Sequence, residues 1–156
     1  MRIWIRRLLV KILEAYCFVV RPHMYGVVCV VRRDKQVLLV RHTYRDLGEW
    51  VLPAGLRWRW QDAEAIMLRE LHHELGLTLE HLRPLCERIV AQSNRTICLS
   101  YFTVMLEARE DIGPIKHSEI AEVGWFLPAE WRLATGPETL EILELIHEQT
   151  VAESAA

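Results

Sequence analysis

No C-x-x-C pair, no metal-finger spacing and no charge-free apolar run long enough to span a bilayer occurs in these 156 residues. There is no internal repeat, no low-complexity segment and no Ser/Gly linker. Solenoid, zinc-finger, collagen-like and disordered classes are thereby excluded. The four cysteines, Cys17, Cys29, Cys86 and Cys98, are scattered, and Cys29 and Cys98 lie inside apolar runs. They read as small buried hydrophobes of a cytoplasmic protein, not as a disulfide framework. Neither sign of charge dominates: 19 basic and 21 acidic residues leave a net charge of −2. A dedicated nucleic-acid binder would be basic, so no stable nucleic-acid partner is expected. Phenylalanine is scarce, at three, while tryptophan numbers six. The length suits one domain with a full core that needs no structural metal.

The first 22 residues are expected to form an amphipathic helix preceding a single domain over residues 23–156. Ile5, Leu8, Leu9, Ile12 and Tyr16 share one helical face, with Arg7, Lys11 and Glu14 opposite. Lys11 and Glu14 interrupt the apolar run, and no small-x-small cleavage site precedes Arg21-Pro22, so neither a signal peptide nor a membrane span fits. Two readings stand. The helix docks on the domain or on a second copy, giving a homodimer, or it lies on an anionic membrane surface.

Beyond it, Tyr25–Val31 and Gln36–Arg41 read as two buried strands joined by a charged turn. Trp50–Gly55 is a short extended piece stopped by Pro53 and Gly55. Asp62 is placed to cap a helix reaching Leu75, with Gly76 closing it. Arg88–Ala91, Thr96–Leu106 and Glu122–Leu127 read as strands, and Glu138–Val151 as a closing helix. This order predicts an α/β layered domain around a mixed sheet.

Chemistry concentrates on the Asp62–Leu75 helix. Glu70, His73 and Glu74 stand at i, i+3 and i+4, so they share a face. Two carboxylates and an imidazole there can hold a divalent cation: the carboxylates suit Mg²⁺ or Mn²⁺, the imidazole a softer metal. From Arg57 to Trp60, Arg and Trp alternate. In extended backbone the two Trp would face one way and the two Arg the other. The Trp pair either stacks on a substrate ring while Arg pairs with phosphate, or covers an apolar edge.

These residues resemble the Nudix hydrolase signature, G-x5-E-x7-R-E-U-x-E-E-x-G-U with U aliphatic. Gly55 opens it, and Arg69, Glu70, Leu71, His72, His73, Glu74, Leu75, Gly76 and Leu77 close it with the spacing kept. Gln61 and His73 stand where the pattern has Glu, and Trp60 stands where a Gly commonly precedes the first acid. Trp50–Gly55 (WVLPAG) is similar to the family's approach to the box, and Glu119–Phe126 (EIAEVGWF) to its late acidic segment and Trp-Phe strand.

The resemblance implies a Nudix-type α/β/α sandwich that hydrolyses a nucleoside diphosphate linked to another group. It implies Glu70 as metal ligand or general base, Glu74 as metal ligand, His73 in a second ligand place, and the carbonyl of Gly55 (or Ala54) completing the shell. Arg69 would orient the acid at position 61, where Gln61 leaves no charge to pair. Glu119 matches an acid that some members use as an extra ligand or base. Arg41, Tyr44, Arg57 and Trp58 are the expected substrate contacts. Mg²⁺ is the expected cofactor, with Mn²⁺ as alternative, because an imidazole binds Mg²⁺ poorly. Glu64, one turn from Gln61, is a further acid that could compensate. A module with this fold that binds a nucleotide or partner without turnover is the alternative.

Overall fold

The computed structural model describes residues 3–20, 22–43, 49–92, 95–107, 112–113 and 119–155. In chain order these form α1 (Ile3–Val20), β1 (His23–Arg33), β2 (Gln36–His42), β3 (Ala54–Arg57), α2 (Ala63–Leu75), β4 (Arg83–Gln92), β5 (Arg95–Met105), β6 (Ile120–Phe126), a 3₁₀ turn (Pro128–Glu130), α3 (Trp131–Ala134) and α4 (Pro137–Ala155).

The sheet runs β4-β5-β1-β2-β6, with β3 also on β1. β1 and β5 are parallel from His23↔Thr96 to Arg32↔Met105, while the other pairings are antiparallel. The edge of β1 opposite β5 is divided between two partners. Arg32 and Arg33 pair with Val37 and Gln36 of β2, while Tyr25–Val28 pair with Arg57–Ala54 of β3. The expected hairpin therefore forms only near its turn. Between the two pairings, the Cys29 N–H donates to the Pro53 carbonyl at 3.0 Å. This split brings the chain from Trp50 onward into the middle of the sheet instead of leaving it as a surface loop.

Alternation along β1 explains the layers. Val27, Cys29 and Val31 join the core under α2, with Ile66, Met67, Leu71 and Leu75. Val28 and Val30 join the opposite core, with Ile142, Leu143 and Ile146 of α4. Successive strand residues face opposite sides, so a strand covered on both sides must be apolar throughout. The result is the α/β/α sandwich with a mixed sheet expected from the sequence. Trp131 is buried and donates from Nε1 to the Phe126 carbonyl at 3.3 Å. Trp50 meets Phe126 edge-on at 4.8 Å, and the Arg33 guanidinium lies 4.5 Å from the Trp125 ring centre. Three of the tryptophans thus serve the sheet and the layer under α4.

Candidate active site on the loop and helix after β3

The α2 helix starts and stops on the residues its sequence nominates. Asp62 is extended, and its carboxylate accepts from the Glu64 N–H at 3.1 Å. At the other end Gly76 adopts φ +66°, its N–H donates to the His72 carbonyl at 3.0 Å, and the Leu77 N–H donates to Leu71 at 3.3 Å. A Cβ at Gly76 would stand 2.7 Å from the Cα of Gly113, whose N–H donates to the Leu75 carbonyl. The helix is therefore clamped at both termini, which fixes the side chains along it.

Glu70 sits directly on Gly55. A Cβ at position 55 would come within 2.8 Å of Glu70 Cγ. Because Gly55 pairs with Val27 in β1, the sheet itself sets how closely the carboxylate approaches the strand backbone. The Arg69 guanidinium donates to Glu70 Oε1 at 2.8 Å, and the Glu70 side chain retains 19% exposure. Arg69 thus grips its own neighbour, consistent with the absence of an acid at position 61. One turn on, Glu74 is 5% exposed, on the face of α2 that carries Ile66, Met67 and Leu71. A nearly buried Glu on an otherwise apolar helix face is uncommon unless it has work to do. His73 is exposed on the adjacent face. The structure thus brings Gly55, Arg69, Glu70 and Glu74 into one neighbourhood.

The remaining expected site residues have visible local roles. Arg41 donates to Glu122 Oε2 at 2.9 Å, with its guanidinium 4.9 Å from the Trp50 ring centre. Glu119 is half-buried in the turn before β6, and its carbonyl accepts from the Thr43 N–H at 3.0 Å. Tyr44 lies outside the described residues. Trp58 and Trp60 are 65% and 79% exposed and stack on each other at 5.4 Å with 4° between ring planes.

Residues 58–61 are not extended. The Gln61 N–H donates to the Trp58 carbonyl at 3.0 Å, and Gln61 Oε1 accepts from the Trp58 N–H at 2.7 Å. Arg57 reaches over this turn: Nη1 donates to the carbonyls of Trp58, Arg59 and Gln61 at 3.4, 3.2 and 3.2 Å. Its Nη2 donates to Ser100 Oγ at 3.4 Å, and its guanidinium lies 5.4 Å from the Tyr25 ring centre. Sequence reasoning missed this lock. The signal available was Gln61 itself, an amide that caps a turn without bringing charge to it. Glu64 is engaged elsewhere as well: its Oε1 accepts from the Leu82 N–H at 2.8 Å, securing the segment after α2.

Two adjacent carboxylates beside a strand backbone form a hard oxygen donor set. Mg²⁺ commonly binds one or two carboxylates and takes its remaining ligands from water and substrate phosphates. Among the described residues no group of three or more His, Cys, Asp or Glu could by itself hold a metal ion. The donor set therefore fits a cation shared with a phosphate ligand, not a cage made by protein alone.

A six-stranded mixed sheet between helical layers, with an acidic helix entered through a Gly-containing strand, defines an α/β/α sandwich of the Nudix type. The family model described as NUDIX domain matches residues 22–146, and the chain belongs to the Nudix family. Solved structures agree on the fold. The E. coli ORF135 protein is 21% identical, with 86% of this chain and 96% of that one covered at a TM-score of 0.68. The NUDIX domain of Shewanella oneidensis NrtR, in complex with ADP ribose, is 19% identical over 82% and 88%, at 0.68. A C. elegans Ap4A hydrolase in a binary complex is 18% identical over 83% and 98%, at 0.69. Among curated proteins none matches this sequence.

Proposed function

We propose that this Nudix-family chain is a divalent-metal-dependent hydrolase of a pyrophosphate bond in a nucleoside diphosphate linked to another group. The observation that carries this reading is the pairing of a strand-seated Glu70 with a nearly buried Glu74 one turn later. A solvated acidic face would leave both exposed. Similar structures include an ADP-ribose complex and an Ap4A hydrolase, which supports a ligand of that chemical class.

Glu70, Glu74 and the Gly55 carbonyl would hold the cation, with His73 at its exposed side. Mg²⁺ is the proposed ion and Mn²⁺ the alternative. Bound there, the ion would supply positive charge against the charge gathering on the leaving phosphate. The protein's own part is positional. Arg69 holds Glu70 in one rotamer, and Gly55 sets its depth, so the carboxylate is aimed before substrate arrives. Glu70 or Glu119 is the proposed base for the attacking water. Substrate contacts fall to Arg41, Tyr44, Arg57 and Trp58. Arg57 meets substrate only with the part of its guanidinium that the loop carbonyls leave open. Cytoplasmic residence belongs to the same proposal, and a homodimer through α1 is the rival to a membrane-surface role for that helix. No helix among the described residues is long and apolar enough to cross a membrane.

One observation favours a second reading, a nucleotide-binding module without turnover. Gln61 is folded back onto its own loop, where the family pattern has an acid. The test is product release from nucleoside triphosphates, ADP-ribose and dinucleoside polyphosphates, with Mg²⁺ and Mn²⁺ supplied separately. Turnover of any of these supports the hydrolase. Tight nucleotide binding with no turnover under either metal supports the module.

A further inference from the structure

Among the described residues the α1 helix makes no extensive contact with any other element. It is 18 residues long, or about 27 Å, and none of its described side chains joins either hydrophobic core. Leu8, Leu9, Ile12, Tyr16 and Val20 fall on one helical arc, and each is half or more exposed. Five large apolar or aromatic side chains in a stripe exceed the scattered apolar surface of an ordinary monomer. None of the described residues buries this stripe.

Charge identifies what covers it. Residues 1–21 hold Arg2, Arg6, Arg7, Lys11 and Arg21 against Glu14 alone, a net charge of +4. With −2 for the whole chain, the remaining 135 residues carry −6. A basic, apolar-faced helix is thus attached to an acidic body. A second copy would have to offer an apolar receiving face. On the body the exposed apolar residues are instead one short stretch, Leu56 with the stacked Trp58 and Trp60 at the end of β3, and scattered single residues: Ile89 on β4, Met105 on β5, Leu127 after β6, Leu133 on α3 and Leu145 on α4. A bilayer surface needs no such face, and an anionic one adds attraction for each basic residue. Tyr16 has the amphipathic ring favoured at the lipid–water boundary. The charges that bar α1 from spanning a bilayer suit it to lying along one.

We propose that α1 is a membrane-surface anchor that lays its Leu8–Leu9–Ile12–Tyr16 stripe into an anionic lipid leaflet, with the acidic domain held in water beside it. This inference is independent of the proposed hydrolysis.

The experiment is co-flotation of the full chain with phosphatidylcholine vesicles and with vesicles of equal parts phosphatidylcholine and phosphatidylglycerol. Strong binding to the anionic vesicles only, weakening as salt is raised, is expected. Ile12→Asp should abolish it. Lys11→Glu, a reversal of one charge, should weaken it on the order of thirty-fold, at roughly five-fold per unit charge. Both positions are exposed, so the unfolding midpoint should not move. Absence of flotation with anionic vesicles overturns the proposal, as does equal flotation with neutral ones. A stable dimer in sedimentation that Ile12→Asp dissociates, without vesicle binding by the wild type, overturns it in favour of a second copy.

Discussion

Replacing Gly55 by Ala tests whether the close fit between strand and helix is catalytic. The new methyl would stand 2.8 Å from Glu70 Cγ, 3.4 Å from its Cδ and 3.5 Å from Val27 Cγ2. Carbon atoms rest at about 3.5–4.0 Å, so Glu70 must retreat by about 1 Å. The backbone has no reason to resist, because Gly76 alone among the described glycines has a positive φ. The overpacking cost falls at the low end, about 1 kcal/mol, since the obstructing atom belongs to a partly exposed side chain. Loss of unfolded-state freedom offsets roughly half of that. Stability should therefore change by less than about 1 kcal/mol in urea unfolding. A displacement of this size in a positioned catalytic group costs roughly 100-fold in rate. Against whichever nucleotide the chain turns over, kcat/KM should fall by about that factor while the unfolding midpoint barely moves. Wild-type kcat/KM in a folded G55A variant would refute the claim that the strand sets Glu70.

Four further outcomes are expected. Gly76→Ala places a side chain at φ +66° and a methyl 2.7 Å from Gly113, and urea unfolding should report a loss of about 2–4 kcal/mol. Leu143→Ala empties a fully buried position on the inner face of α4 and should cost about 2–5 kcal/mol by the same measurement. Burial pushes the Cys29 thiol well above its ordinary range near 9.0. The native state then binds a proton that the unfolded chain releases, so this contribution to stability is lost as pH rises above that range. Cys29 should resist thiol reagents at mildly alkaline pH until the protein is unfolded, which mass spectrometry after labelling reads directly. His73→Glu should raise Mg²⁺-supported activity relative to Mn²⁺, and an unchanged metal profile would place His73 outside the metal shell.

The elements that follow from local patterning were legible in the sequence. Asp62 and Gly76 announced both ends of α2 because capping is a property of neighbouring residues. The apolar runs of β1 and β2 announced strands covered on both faces. Strand boundaries were less legible: Arg83–Gln92 extends well upstream of the Arg88–Ala91 expected, because pairing with β5 recruits residues of weak strand character. Likewise the short strand at Ala54–Arg57 begins where the sequence suggested a stop at Gly55, since the split edge of β1 holds it there. At the site, helical spacing identified Glu70 and Glu74 as neighbours. It could not announce that Gly55 seats Glu70, or that Arg57 and Gln61 tie the intervening loop. Those contacts join residues whose separation along the chain carries no period. The Trp58–Trp60 pair does share one side, but through a turn and not through extended backbone.

The most direct test of the two-carboxylate site compares wild type with Glu70→Gln and Glu74→Gln, measuring metal-dependent product release across the same nucleotide panel. Each substitution keeps the shape and removes one hard, charged donor. The expected result is loss of most activity in both variants, on the order of 100-fold or more, with folding retained. Turnover that survives Glu74→Gln undiminished would place the chemistry elsewhere on the molecule.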